Sequence, residues 1–481
     1  MDDSNSEDAP DLRPSDGDRI RLNVGGRLFE TTVSTLRSGG PDSLLWALSN
    51  RPISSDPIFI DRDPDAFSAL LSLLRSGRLP SSSTLHRHYL SDEASFYGLD
   101  HLLRSSLSPP PLLATDASIV TTLSPSSDAL PSALSASGGV SSSDGSVWIA
   151  HGGQVSAYDW SLLHSATIRT HLDEISALRR VRPDFAAVAS PVSPGLHLYS
   201  LYGGLHAGSA QWSDPSDPRV HKATVVAIAP DDDPFGPTIF ASFECPHREN
   251  SIAAVDRSTL TISSLIGRQS GGSAKTAVPG KLRHLPEKNL IFSVAISSGA
   301  FGYSGYVRLW DVRSGDAVWE TSEPGSGRSS RFGDTFADVD VNSDESAMFK
   351  VCSKSGDVAI ADLRMLGEDP WVYLEEANPV LRGVSGGGGG GATTVLHCYQ
   401  RQVFVSREGA LGVWSQVEED REKRVTERTF RKNWVDKEGD SDRGVIRLME
   451  GGGNRLFVCR EGVEGVEVWE SSESSGVVFI S

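Results

Sequence analysis

Apolar and polar side chains alternate along RIRLNVGGRLFETT (19–32) on both sides of Gly25-Gly26. That period of two predicts paired strands joined by a tight hairpin, whose two central residues favour positive φ. PDSLLWAL (41–48) then predicts a short helix with Asp42 or Ser43 as N-cap, and IFI (58–60) a brief buried strand. The period changes again after Asp63-Pro64, where Phe67, Leu70, Leu71 and Leu74 follow at helical spacing. Gly77 is placed to end that helix, and a second helix is expected from Leu90 to Leu103, with Ser91 and Ala94 in capping positions.

The charge-dense join FIDRDPDAF (59–67) admits three chemistries. A calcium loop starting at Asp61 needs Gly at its sixth position and Glu at its twelfth, where Ala66 and Ser72 stand. A carboxylate pair for acid–base work has no His or nucleophile beside it. Helix-start chemistry accounts for Asp63 as N-cap, Pro64 as first helical residue and Asp65 in the first turn. Asp61 and Arg62 are left over, and a charged pair at a strand end suits a partner subunit or a loop.

From residue 146 a different theme recurs: an apolar strand, a Gly- or Asp-containing turn, then a strand ending in an aromatic or apolar residue. The instances span 146–160, 186–201, 238–257, 290–315, 347–364, 402–415 and 455–470. With Trp160, Tyr199, Val255, Trp310, Ala361, Trp414 and Trp469 as equivalent positions, the spacings are 39, 56, 55, 51, 53 and 55. Strand pairs at such a period predict a β-propeller with one four-stranded blade per repeat, here seven. Residues 117–123 (ASIVTTL) and 477–480 (VVFI) compete to complete the last blade. Trp148, Trp160, Trp310, Trp414 and Trp469 lie inside strand patterns and are expected in the core.

Residues 108–145 are rich in Ser, Pro and Ala and predict a linker, with Pro109–Pro111 a polyproline spacer. DDDPFG (231–236) and SGGGGGG (385–391) predict loops. EEDREKRVTERTFRKNW (418–434) predicts a solvated face whose Arg and Lys suit an acidic peptide. The formal charge of −18 argues against nucleic acid as the main partner. Four dispersed cysteines form no CxxC or Cys/His cluster, so no zinc site or disulfide framework is expected. The twelve histidines show no HxH or HExxH spacing, and no GxSxG or phosphate-binding loop occurs. The expectation is a non-enzyme with no cofactor, no metal and no catalytic residue. The acidic opening MDDSNSEDAPD (within 1–17) predicts a disordered tail rather than a signal peptide, and no apolar run is long enough to span a membrane. A soluble cytoplasmic or nuclear protein is therefore expected, without membrane insertion.

LNVGG, the F-x-TT-x-x-TL stretch from Phe29 to Leu36, FIDRDP-x-x-F, LLRSGRLP and EASFYGL together resemble a BTB/POZ domain of the potassium-channel tetramerisation (T1/KCTD) type over residues 18–107. YVRLWDVRSG (306–315) resembles the signature that ends a WD40 repeat. The expected fold is thus an α+β BTB/POZ domain followed, over 146–481, by an all-β seven-bladed WD40-like propeller. The resemblance implies homo-oligomerisation through the first domain, with Asp61 and Arg62 near the subunit contacts. It also implies a substrate-recognition adaptor: the BTB domain recruits the cullin-3 ubiquitin-ligase scaffold and the propeller captures a protein substrate. The cullin-facing loop would be Leu48, Ser49, Asn50 and Arg51. Adaptors of this type often present a bulky apolar residue there, where this chain has Ser49 and Asn50. A non-degradative oligomeric scaffold for signalling or channel partners is the alternative.

Overall fold

The computed structural model describes residues 19–471 except 42, 52–55, 77–78, 80–86, 101, 104–111, 125–126, 128, 139–144, 232–235, 247–248, 272–275, 300–301, 325–334, 354, 375–393, 408, 418–424 and 437–442. The chain divides into two compact units, Met1–Pro109 and Pro110–Ser481.

The first unit holds strands β1 (Arg19–Val24), β2 (Arg27–Thr32) and β3 (Ile58–Ile60), and helices α1 (Val33–Arg37), α2 (Leu44–Ser49), α3 (Pro64–Ser76) and α4 (Arg87–Tyr97). Its sheet has the order β2-β1-β3, antiparallel between β1 and β2 and parallel between β1 and β3. Gly25 and Gly26 turn the hairpin at φ +51° and +88°, as the alternation required. Gly25 is also hemmed in, because a Cβ there would lie 2.5 Å from the Arg62 carbonyl oxygen. The hairpin thus packs directly on the junction between β3 and α3.

Ser43 caps α2, its Oγ accepting from Trp46 N at 3.1 Å. Asp63 Oδ1 accepts from the backbone of Asp65 (2.9 Å) and Ala66 (2.7 Å), which is the helix start expected for α3. α3 buries Phe67, Leu70, Leu71 and Leu74 against the sheet, and Phe67 contacts the rings of Phe29 (5.0 Å) and Tyr97 (5.3 Å). α4 starts at Arg87, so Ser91 and Ala94 are interior to it rather than caps. It ends at Tyr97, where Gly98 takes φ +70° and Leu99 N donates to Ala94 O at 2.8 Å. The expected cap Gly77 lies outside the described residues.

The second unit contains seven four-stranded antiparallel sheets among the described residues. Each of the seven sequence repeats forms the two central strands of one sheet. The first strands of the sheets are Pro131–Ser137, Ala177–Arg182, Thr224–Pro230, Lys281–Leu285, Phe336–Val341, Leu396–Tyr399 and Ile446–Gly452. Each sheet packs on the next, and the seventh packs back on the first. Trp148, Trp160, Trp310, Trp414 and Trp469 are all buried.

Two expectations need correction. Residues 108–145 are not simply a linker: Ala117–Leu123, here β4, and Pro131–Ser137 are strands of the second unit. β4 pairs with Val466–Ser471 and completes the seventh sheet, while the competing VVFI lies outside the described residues. The pairing of 117–123 is the one that its alternation offered, whereas the Ser- and Ala-rich composition of Pro131–Ser137 gave it no strand signal. The second correction is one of register. The position equivalent to Tyr199 and Trp310 in the first sheet is Tyr158, opposite Val147, and Trp160 lies just beyond the strand.

Candidate protein-interaction surfaces

One face of the first unit's sheet points into its core through Ile20, Leu22 and Val24. The pleat sends alternate residues outward, and the ladder register sets Leu28, Asn23 and Phe59 in one row across three strands. Leu28 is 67% and Phe59 62% exposed. Between them Asn23 Oδ1 is buried without a hydrogen-bond partner. Glu30 flanks this row, 3.9 Å from Arg19 and 4.0 Å from Arg21. Two large apolar side chains thus stand open on the outer face of this small sheet.

Asp61 is exposed at the end of β3. Arg62 is held inside its own unit: its guanidinium is 3.4 Å from Glu93 Oε1 and lies 3.9 Å from the Phe96 ring centroid. Glu93 is only 4% exposed, so Arg62 compensates a buried carboxylate. The local sequence gave no sign of this, because Glu93 and Phe96 come from α4. Arg62 keeps an outer edge, and Tyr89 and Phe96 beside it are half open to solvent.

The expected cullin-facing loop is partly inside the fold. Leu48 and Ser49 belong to α2 and are buried. Ser49 Oγ donates to Trp46 O at 2.7 Å, and Arg37 NH2 donates to Asn50 Oδ1 at 3.2 Å. Asn50, the C-cap, and Arg51 are exposed. The helix runs one residue further than its apolar pattern suggested, to Ser49, and both Leu48 and Ser49 turn inward.

In the second unit charges gather on the innermost strands. Lys281 Nζ lies 3.1 Å from Asp338 Oδ1 and 3.7 Å from Asp340 Oδ2, and donates to Leu396 O at 3.0 Å. Arg283 and His397 approach Asp340 at 3.7 and 3.5 Å. Burial pushes Asp340 up, but the Lys281 charge and the hydrogen bond from His397 outweigh it and hold the carboxyl well below the usual carboxylate range. At Asp338 burial outweighs the Lys281 charge and raises the carboxyl. Across the circuit, Arg179 is 3.4 Å from Glu450.

Residues 20–107 match the family model of the BTB/POZ domain, and residues 133–471 match that of the At2g24240-like C-terminal beta propeller. The chain belongs to the BTB/POZ–β-propeller family. This BTB/POZ–propeller protein is 34% identical to BTB/POZ domain-containing protein At5g41330 of Arabidopsis thaliana, over 95% of this chain and 97% of that protein. It is 29% identical to At2g24240 of the same plant, over 94% and 98%. Its BTB unit, of the T1/KCTD type, is 36% identical to mouse KCTD9 over 19% of this chain and 31% of that protein. All three relatives are named as BTB/POZ domain-containing proteins.

On the propeller, a groove of about 360 Å³ lies between the fifth and sixth sheets, lined by Asn342, Asp344, Phe349, Arg401, Arg428 and Phe430. Arg428 and Phe430 come from the mixed-charge stretch 418–434, and Lys432 in the same stretch stands 5.4 and 5.1 Å from the Trp414 and Trp434 rings. DDDPFG and the polyglycine run fall largely or wholly outside the described residues. No helix among the described residues is long and apolar enough to cross a membrane. All four cysteines are buried, and none is joined in a disulfide.

The topology also assembles a group that linear spacing concealed. His171, His197 and His206 of the second sheet's region place one ring nitrogen each within 4.8 Å of the others. His197 and His206 stand on adjacent strands, and His171 comes from the connection that leads into this sheet. Only pairing of the strands makes them neighbours.

Proposed function

We propose that this protein is a substrate-recognition adaptor of a cullin-3-based ubiquitin ligase, working in the cytoplasm or nucleus. The BTB unit oligomerises through the outer sheet face carrying Leu28 and Phe59, with Asp61 and the outer edge of Arg62 beside the contact. The seven sheets form a seven-bladed ring whose loops capture a protein substrate for ubiquitination. The reading is carried by one observation: a T1/KCTD-type BTB domain with an open apolar row is joined, in one chain, to a circuit of seven sheets. Self-association multiplies the propellers in each assembly and raises the effective concentration of captured protein at the transferase. No residue is assigned a chemical step, and no cofactor is required.

The non-degradative scaffold is favoured by one feature of α2. Leu48 and Ser49 are buried and Asn50 is tied to Arg37, so residues 48–51 offer a cullin only the polar Asn50 and Arg51. Calorimetric titration of the full chain with the cullin-3 N-terminal domain separates the two. Saturable binding tighter than micromolar supports the ligase adaptor. No heat at several temperatures, with the oligomer intact by light scattering, leaves the scaffold as the function.

A further inference from the structure

His197 is 4% exposed, and its Nε2 is buried with no hydrogen-bond partner of acceptable geometry. A contact to the Pro194 carbonyl is the one influence that raises the proton affinity of this ring. An imidazole nitrogen left bare inside a protein is costly unless something occupies it. It belongs to a three-histidine cluster, with ring centroids 5.1 Å apart for His171–His197, 4.8 Å for His171–His206 and 6.0 Å for His197–His206. We propose that His171, His197 and His206 bind a divalent transition-metal ion of the zinc class, clamping the connection before the second propeller sheet to that sheet's outer strands.

The surroundings are those of a ligand shell. Tyr199 OH lies 2.6 Å from His171 Nδ1. Ser209 Oγ lies 2.7 Å from His197 Nδ1 and 2.9 Å from His206 Nε2. Each ring thus has one nitrogen engaged by a hydroxyl, and the Pro194 and Gly208 carbonyls approach the rings of His197 and His206. A hydroxyl can donate or accept, so the tautomer of each ring decides which way these three contacts run. Outer hydrogen bonds that fix the tautomer are what metal-bound imidazoles need.

Tetrahedral zinc with nitrogens at about 2.0–2.1 Å brings its ligands to about 3.4 Å from one another. The cluster needs to close by roughly 1.4 Å at its widest from the observed 4.8 Å, a movement open to His171 and His206 because both are exposed. Three neutral imidazoles with no thiolate or carboxylate favour zinc, copper, nickel or cobalt over calcium or magnesium. A fourth position facing solvent is left for water. Beyond the site the chain turns through Tyr202, Gly203, Gly204 and Leu205, and Tyr202 and Leu205 are 75% and 68% exposed. The metal would thus fix the base of an open apolar hairpin.

The experiment uses the full chain stripped with a chelator and titrated with Zn²⁺ against a chromophoric competitor. Cobalt is substituted in parallel to read ligand geometry from its visible spectrum. The expected result is one tight equivalent per chain and a tetrahedral cobalt spectrum. Both should be lost in H171A/H206A, whose exposed substitutions leave circular dichroism unchanged. The single variant His206→Gln should weaken binding at least tenfold and serves should the double variant misfold. Absence of saturable binding, or an equivalent that survives in the folded variants, overturns the proposal.

Discussion

Ile119 of β4 lies opposite Trp469 in the seventh sheet of the propeller. A strand from the beginning of the second unit therefore completes a sheet whose other three strands come from its end. The preceding residues are fastened to the same region: Leu112 N donates to Gln400 Oε1 at 3.0 Å, Leu113 N to Ser471 Oγ at 2.8 Å and Ala114 N to Gln402 Oε1 at 3.0 Å. Closure of this kind removes the open edge that the last sheet would otherwise expose.

Leu123 ends that strand and is buried with Leu134, Val147, Val466 and Val468, so it packs the seventh sheet onto the first. Leu123→Ala should destabilise the propeller by about 2–4 kcal/mol through lost burial and a cavity. The check is urea unfolding followed by tryptophan fluorescence. A change below the error of the fit would show that β4 does not hold the circuit closed.

Arg460 is a buried tie between the sixth and seventh sheets. It meets Asp436 at 3.0 Å and Glu467 at 2.8 Å, and donates to the Gly409 and Gly444 carbonyls at 2.8 and 2.9 Å. Arg460→Ala should cost about 3–5 kcal/mol, because Glu467 loses its cation and Asp436 keeps only the longer contact to Arg443 in a buried site. The double variant R460M/D436N should recover part of that loss. Equal stability of R460A and wild type in the same unfolding assay would refute the assignment.

For the BTB unit, Phe59→Asp and Leu28→Asp should lower the assembly mass in light scattering while leaving circular dichroism unchanged, since both side chains are largely exposed. Arg62→Glu should act differently. It sets a carboxylate against the buried Glu93, so a loss of about 1–3 kcal/mol in stability should accompany any fall in mass. An unchanged mass in all three variants would place the subunit contact elsewhere.

Asp340 makes stability fall in acid. Its folded pKa is below the unfolded value of about 3.9, so its contribution is present above about pH 4 and is lost as pH drops toward the folded pKa. Asp338, shifted upward, acts in the opposite sense and softens the effect. Asp340→Asn should flatten the slope of stability between about pH 4 and pH 2. An unaltered slope would mean that other carboxylates carry the acid response.

Much of this molecule was legible from local chemistry. The Gly25-Gly26 hairpin, the Ser43 and Asp63 caps and the seven central hairpins follow from φ preference, capping and period-two burial, all properties of neighbouring residues. What escaped depends on distant strands meeting. The Ser- and Ala-rich strand 131–137 carries little apolar signal of its own, and becomes a strand because it pairs with its neighbour in the first sheet. Arg62 finds Glu93 and Phe96 only when α4 folds onto the β3–α3 junction. The inward turn of Leu48 and Ser49 is decided by packing around α2. His171, His197 and His206 have no motif spacing, and strand pairing with an inter-sheet connection makes them a cluster. Sequence alone determined the elements and their repeat; the tertiary structure decided which charges and imidazoles share a site, because such interactions fall off within a few ångströms.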